Sequence, residues 1–211
     1  MERSQKWIRM FEIRVKEGGE LLLKGSIPYL SESEILYSAH KKGLMKERIA
    51  PMAFGQVLKE TGKEPLLLLN HQYHKQEKVK EFHWNDTKSA FEFEFLLEPS
   101  IELLQNISQI GAISFGFVEG DSRWLNTSND TAKPYDWERT ILSFTELREI
   151  SILLHKQQPA YPSAMIYVGD SETPLSNNER DQLLEYMRKT IQQLRRKEVE
   201  ELKRVITSLR G

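Results

Sequence analysis

Between Ala90 and Leu97 the chain reads Ala-Phe-Glu-Phe-Glu-Phe-Leu-Leu. Residues two apart share one face of an extended strand, so Phe91, Phe93 and Phe95 enter a core while Glu92 and Glu94 stay in water. A helix would scatter these rings around its circumference, and only a half-buried strand gathers them. The same alternation recurs. Trp7 to Val15 places Trp7, Phe11, Ile13 and Val15 among charged residues, Lys16 to Glu20 forms a turn, and Leu21 to Tyr29 returns, which predicts a hairpin. Val79–Trp84 and Phe91–Leu97 flank an expected turn at Asn85-Asp86, and Leu66–Leu69 after Pro65 has the character of a buried strand. A mainly β domain follows.

Helices are few. Pro51–Thr61 opens on proline, sets Phe54, Val57 and Leu58 on one side and stops at Gly62. Ser100–Ile110 sets Ile101, Leu104, Ile107 and Ile110 on one side, with Gly111 as its stop. Residues 31–46 are polar and read as a mobile loop. The connection from Gly120 to Trp137 is long for a compact domain and reads equally as a substrate-binding flap or an inserted loop, with the burial of Trp124 and Trp137 deciding between them. From Ser176 the composition changes: a capping-box spacing precedes an apolar stripe at Leu184, Met187, Ile191 and Leu194, which resumes out of phase at Val199, Leu202, Ile206 and Leu209. This predicts a long amphipathic helix, either a self-association or scaffold-docking arm or a terminal helix folded back on the domain.

The 211 residues suffice for one sizeable core plus an appendage, and a net charge of -1 gives no whole-chain attraction to nucleic acid or anionic membrane. With no cysteine, disulfides and thiolate metal sites are excluded and a reducing cytoplasm is expected. No signal peptide and no apolar run of membrane-spanning length is read in the sequence.

The chemistry-bearing candidates lie in three segments. Gln109–Phe117 reads as a strand with Ile113, Phe115 and Phe117 inward and Ala112, Ser114 and Gly116 on the opposite, small-residue face. Ser114 is there the candidate nucleophile. The apolar run after Pro65 ends in Asn70-His71-Gln72-Tyr73-His74, so His71 stands at the lip of a core strand, where an imidazole titrating near neutrality can take a proton from serine; His74 competes for that role. In Leu147–His155, Ile150, Ile152 and Leu154 alternate with Glu149, Ser151 and His155, so one face carries a carboxylate and an imidazole, either of which could orient the first histidine. The chain order His, Ser, Glu differs from the serine-first order of α/β hydrolases.

Taken together, Lys46-Glu47-Arg48-Ile49-Ala50-Pro51-Met52-Ala53-Phe54, Leu69-Asn70-His71, Ile113-Ser114-Phe115-Gly116-Phe117, Leu147-Arg148-Glu149-Ile150-Ser151-Ile152 and Pro159-Ala160-Tyr161-Pro162 resemble, in order and spacing, the successive signatures of the caudovirus prohead serine protease family. The resemblance covers roughly residues 8 to 165. It implies an α+β fold with a mainly antiparallel, β-barrel-like protease core related to the herpesvirus assembly proteases, a few covering helices, a protease domain over 1–168 and a helical extension over 169–211. It implies a capsid-maturation serine endopeptidase in which His71 is the general base, Ser114 the nucleophile and Glu149 the acidic third member, with His155 as the alternative because the herpesvirus relatives use a second histidine. No metal or cofactor is implied. The expected partners are the major capsid protein and scaffold, with self-association, rather than nucleic acid or membrane, and the expected location is the bacterial host cytoplasm, inside the prohead. The chain departs from the family where Met52 replaces a usual Gly, Gln72 a usual Asp and Ala112 a usual Gly. The oxyanion donors stay open among backbone amides, Arg123, Arg139 and Arg148.

Overall fold

The computed structural model describes residues 13–15, 20–154 and 157–167, together with positions 188–189, 191–193, 195–197, 199–200, 203–204 and 206–207, which are helical. In chain order the elements are β1 (Ile13–Val15), β2 (Leu21–Pro28), β3 (Leu36–Ser38), β4 (Gly43–Ile49), α1 (Ala53–Thr61), β5 (Leu66–Leu69), β6 (Gln72–Gln76), β7 (Lys78–Asp86), β8 (Ala90–Glu98), α2 (Ile101–Asn106), β9 (Ile110–Glu119), β10 (Ser122–Asn126), β11 (Trp137–Ile141), β12 (Phe144–Leu154) and β13 (Met165–Tyr167). The fold is α+β, built on three sheets. The first runs β1-β2-β8-β7 with β13 also on β2, the second β10-β11-β4-β3, and the third β6-β5-β12-β9. Two pairs, β11 with β4 and β12 with β5, are parallel, and the other pairs are antiparallel. The described strands do not close into the expected barrel, because each sheet ends in edge strands.

The core forms where α1 is buried among the sheets. Phe54, with no exposed surface, stacks on Phe91 of β8 at 4.9 Å, meets Phe115 of β9 edge-on at 5.1 Å and packs on Phe144 of β12 at 4.9 Å. Aromatic pairs favour such offset and edge-on contacts, and truncating a ring so enclosed typically costs about 3–5 kcal/mol. Thus α1 locks onto the alternating aromatics that defined β8. The helix ends at Gly62, whose left-handed φ of 63° lets its N–H reach Leu58 O.

The hairpin predicted at the N-terminal end is present, with Ile13 opposite Leu23. Other expectations are corrected. Residues 31–46 are not a loop throughout: β3 and β4 pair within and beyond that span, Tyr37 opposite Leu44, because a strand with one wet face needs few apolar residues. The 120–137 connection is an ordered hairpin rather than a loop: β10 and β11 pair over five residues each, with half-buried Trp124 and Trp137 in a T-shaped contact at 6.4 Å. The turn expected at Asn85-Asp86 lies later, since both residues remain in β7 opposite Glu92 and Phe91. Helix α2 ends at Asn106, continues as a 3-10 turn over Ile107–Gln109 and yields to β9 at Ile110. Gly111 is therefore not a helix stop. It is the extra residue of a bulge, skipped where Ala112 faces Leu153 and Ile110 faces Leu154. The long helix expected from Ser176 and the domain boundary at 168/169 fall largely outside the described residues. Among the described residues, no helix is long and apolar enough to cross a membrane.

Candidate active site

The third sheet gathers the three chemistry-bearing segments. β12 lies at its middle, with β5 alongside in parallel and β9 antiparallel on the other side. Ser114 of β9 faces Ser151 of β12, and Gly116 faces Glu149. Directly opposed residues point to the same side of a sheet. Ser114, Gly116, Glu149 and Ser151 therefore share one face, while Ile113, Phe115, Ile150 and Ile152 enter the core on the other.

A bulge sets this parity. Leu147 opposes Phe117 and Glu149 opposes Gly116, so two steps on β12 match one on β9 and Arg148 is the extra residue. In an unbroken strand Leu147 and Glu149 would point the same way. With Arg148 inserted, Leu147 remains in the core and Glu149 turns to the face of Ser114.

His71 arrives from the β5–β6 turn. Leu69 pairs with Gln72, leaving Asn70 and His71 as the two central residues, both left-handed, at φ 52° and 59°. Two-residue hairpin turns of type I′ require this double positive φ and normally place glycine second. A histidine there carries backbone strain, which clusters at functional sites. Asn70 fastens the turn to β12: its N–H donates to Ile152 O at 2.9 Å and its Oδ1 accepts from Leu154 N–H at 2.8 Å. So anchored, the turn brings His71 Nδ1 to 2.8 Å from Glu149 Oε1.

The carboxylate has two partners. Oε1 receives His71 Nδ1–H, and Oε2 receives the hydroxyl of Ser151, which is fully buried. Glu149 itself is 4% exposed. Gly116 makes room for it, since a Cβ at that position would stand 2.5 Å from Oε1. The hydrogen bond that His71 donates to Glu149, opposed by partial burial, raises the His71 pKa above the usual imidazole value. With Nδ1–H committed to the carboxylate, a neutral His71 carries its lone pair on Nε2, and the side chain remains 45% exposed. That is the tautomer and accessibility required of a general base.

Ser114 is half-buried beside Ser151, whose Cβ lies about 4.5–5.5 Å from its own as for any directly opposed pair. Among the described residues no hydrogen bond joins Ser114 to His71. Catalytic hydrogen bonds are often long before substrate arrives. The structure thus unites His71 with Glu149 directly and brings Ser114 to their sheet face one strand away. His155 lies outside the described residues, and His74 is exposed on β6. Of the arginines considered for the oxyanion, Arg139 is committed to Glu47 and Glu119, Arg148 donates to Glu146 at 3.0 Å, and Arg123 is exposed on β10 in the second sheet.

Three residues of the site were not singled out by sequence reasoning. Ser151 was visible only as a member of the alternating face. Gly116 reads as one more small residue until its partner across the ladder is known. The fastening role of Asn70 depends on a turn geometry that no Asn-His pair announces. Among the described residues no group of three or more His, Asp or Glu side chains could hold a metal ion. Comparisons with protein-family models, curated proteins and solved structures find no match to this chain.

Proposed function

We propose that the chain is a serine endopeptidase of capsid maturation in a tailed phage, acting within the precursor shell on scaffold or on a scaffold-like segment of the major capsid protein. The observation that carries this reading is the His71 Nδ1–Glu149 hydrogen bond on the sheet face of Ser114, formed by three segments that resemble the prohead protease signatures. Ser114 Oγ attacks the peptide carbonyl carbon as His71 Nε2 accepts its proton. The imidazolium, steadied by Glu149, returns that proton to the departing amine as the C–N bond breaks, leaving an acyl-serine. Water then attacks the ester as His71 takes one of its protons, and the imidazolium passes that proton to Ser114 Oγ as the ester C–O bond breaks, releasing the carboxylic acid and restoring the serine and the neutral histidine. Confinement in a shell raises the local substrate concentration, so a slow site suffices there.

The missing Ser114–His71 hydrogen bond supports a second reading, a protease-like assembly protein without catalysis. Intact-mass analysis of wild type and Ser114→Ala, each co-expressed with a tailed-phage major capsid protein and scaffold, separates the two. Fragments formed only with wild type support the peptidase, whereas assembled, uncleaved shells with both would remove it in favour of the assembly role.

A further inference from the structure

Behind the nucleophile strand lies a buried ionic cluster that the proposed chemistry does not use. Arg139 of β11 donates through Nη2 to Glu47 of β4 and through Nη1 to Glu119 of β9 at 2.6 Å. Tyr161 donates its hydroxyl to the second oxygen of Glu47, and its ring packs on Phe115 at 5.1 Å. Glu47 is 2% and Tyr161 4% exposed, Arg139 Nε is buried with no hydrogen-bond partner, and the Glu119 side chain, 32% exposed, forms the open rim of the cluster. Burial pushes the Arg139 pKa down and the Tyr161 pKa up. Charges placed so deeply seldom add to stability over apolar substitutes, so the gain to look for is specificity of arrangement.

The arrangement in need of fixing is the register of β9. β9 and β12 are not joined by a tight turn, because β10 and β11 intervene, and their ladder contains three register shifts. A slip of one residue exchanges the faces of a strand and would bury Ser114 in the core. Glu119 and Phe115 lie on the core face of β9, five residues and one residue beyond Ser114, and both are gripped by the cluster. Glu47 and Tyr161 come from two of the resembling segments that contribute nothing to the His71 side.

We propose that Arg139, seated between Glu47 and Glu119, is a positioning residue that sets the register of β9 and so keeps Ser114 opposite Ser151 on the face of Glu149 and His71. The relevance to catalysis rests on the peptidase reading; the register claim stands apart from it. The chain has no cysteine, so a Ser114→Cys/Ser151→Cys pair provides the only two thiols. The Cα atoms of directly opposed strand residues lie about 4.5–5.5 Å apart, within the roughly 4.4–6.8 Å that a disulfide spans, and the Cβ atoms have to close by up to about 1 Å. The experiment measures by intact mass how fast this pair closes under mild oxidation, with circular dichroism reporting the fold, in the Arg139, Arg139→Lys and Arg139→Met backgrounds.

The expected result is ready closure with Arg139, at least fivefold slower closure in folded Arg139→Met, and an intermediate rate with Lys. Equal rates in the three backgrounds, or no closure with Arg139 present, would overturn the proposal. Should Arg139→Met not fold, Glu119→Gln, which leaves the Glu47–Tyr161 contact in place, is read in the same way. Labelling of otherwise wild-type Ser114 by a fluorophosphonate runs in parallel. Closure that depends on Arg139 without any serine labelling would remove the peptidase reading and leave the register role standing.

Discussion

Asp86 and Glu149 each sit against a glycine that leaves the carboxylate room, and the two end differently. Asp86 receives Gly55 N–H at 2.6 Å in the first turn of α1 and the Tyr29 hydroxyl at 2.6 Å. A Cβ on Gly55 would collide with it, as one on Gly116 would collide with Glu149. Tyr29 is 7% exposed, its pKa driven up first by burial and then by Asp86, so the hydrogen-bond chain ends inside the protein. From Glu149 the chain ends at a half-exposed imidazole with a free nitrogen, on a left-handed backbone. The same device thus serves two ends. A carboxylate whose partners are both enclosed joins elements together, and one whose partner faces solvent can prepare that partner for proton transfer.

The sharpest way to break this contrast is to remove the groups to which the proposed function assigns the reaction. Ser114→Ala or His71→Ala is expected to lower fluorophosphonate labelling and capsid processing by about 10⁴-fold or more, while Asp86→Asn leaves both rates within a few-fold and lowers stability by about 1–3 kcal/mol through its weakened hydrogen bonds. Loss of labelling in Asp86→Asn equal to that in Ser114→Ala would erase the distinction. Glu149→Gln should fall between, because its task is orientation rather than bond making. An intact-mass time course ranks all four variants.

A methyl group at each glycine tests the seats next. Gly116→Ala pushes the Glu149 carboxylate from His71, and labelling should slow about 10- to 100-fold, the scale of loss expected for misplaced catalytic groups. NMR titration of His71 should show its midpoint fall toward the ordinary imidazole value. Gly55→Ala should leave that midpoint in place and cost about 1–3 kcal/mol of stability, as for a lost buried hydrogen bond. Opposite assignments of these two effects would show that the seats had been read the wrong way round.

Acidity separates stability from activity at the open seat. The folded pKa of His71 is raised by Glu149, so protonation favours the folded state. That contribution is fully present below the unfolded imidazole value of about 6.5 and is lost as pH rises through the raised folded value. The proposed general base is the neutral ring, so labelling should rise over the interval in which this stabilisation fades. Glu149→Gln should move the rate midpoint to lower pH. A midpoint unaffected by that change would detach Glu149 from the titration.

Much of the fold was legible where one face of a strand is apolar and the other is not: Phe91, Phe93 and Phe95 announced β8, and the leucines after Pro65 announced β5. β3, the first half of β4 and β10 were read as loops because much of their length is polar or exposed, and the stabilisation of such strands comes from pairing that a single segment does not reveal. His71, Ser114 and Glu149 were each visible as a polar residue at the edge or on the wet side of an apolar run. Their assembly was not, since it depends on one extra residue at Arg148, on the cross-ladder neighbours Gly116 and Ser151, and on a turn that departs from glycine. Register is a property of two strands at once, and periodicity within one strand cannot supply it.

The smallest effect concerns backbone strain, and it tests whether strain at the open seat is tied to use. Met52 precedes α1 at φ 67° with 38% of its surface exposed and no side-chain cap hydrogen bond, so it has the same left-handed backbone as His71 without its partner. The left-handed region costs a residue with a Cβ about 1–2 kcal/mol, and glycine returns about 0.5–1 kcal/mol of that through its looser unfolded chain. Met52→Gly should therefore raise stability by about 0.5–1 kcal/mol, which is about 1–4 °C in Tm for a chain of this size, with labelling of Ser114 unchanged. His71→Gly should relieve comparable backbone strain while losing the Glu149 hydrogen bond and all labelling. If Met52→Gly proves destabilising, its left-handed backbone is held by packing of the methionine, and the strain at His71 loses its control. If it stabilises as expected, left-handed backbone without a partnered side chain is a net cost in this fold, and the strain at His71 is tied to the Glu149 hydrogen bond and the role proposed for the imidazole.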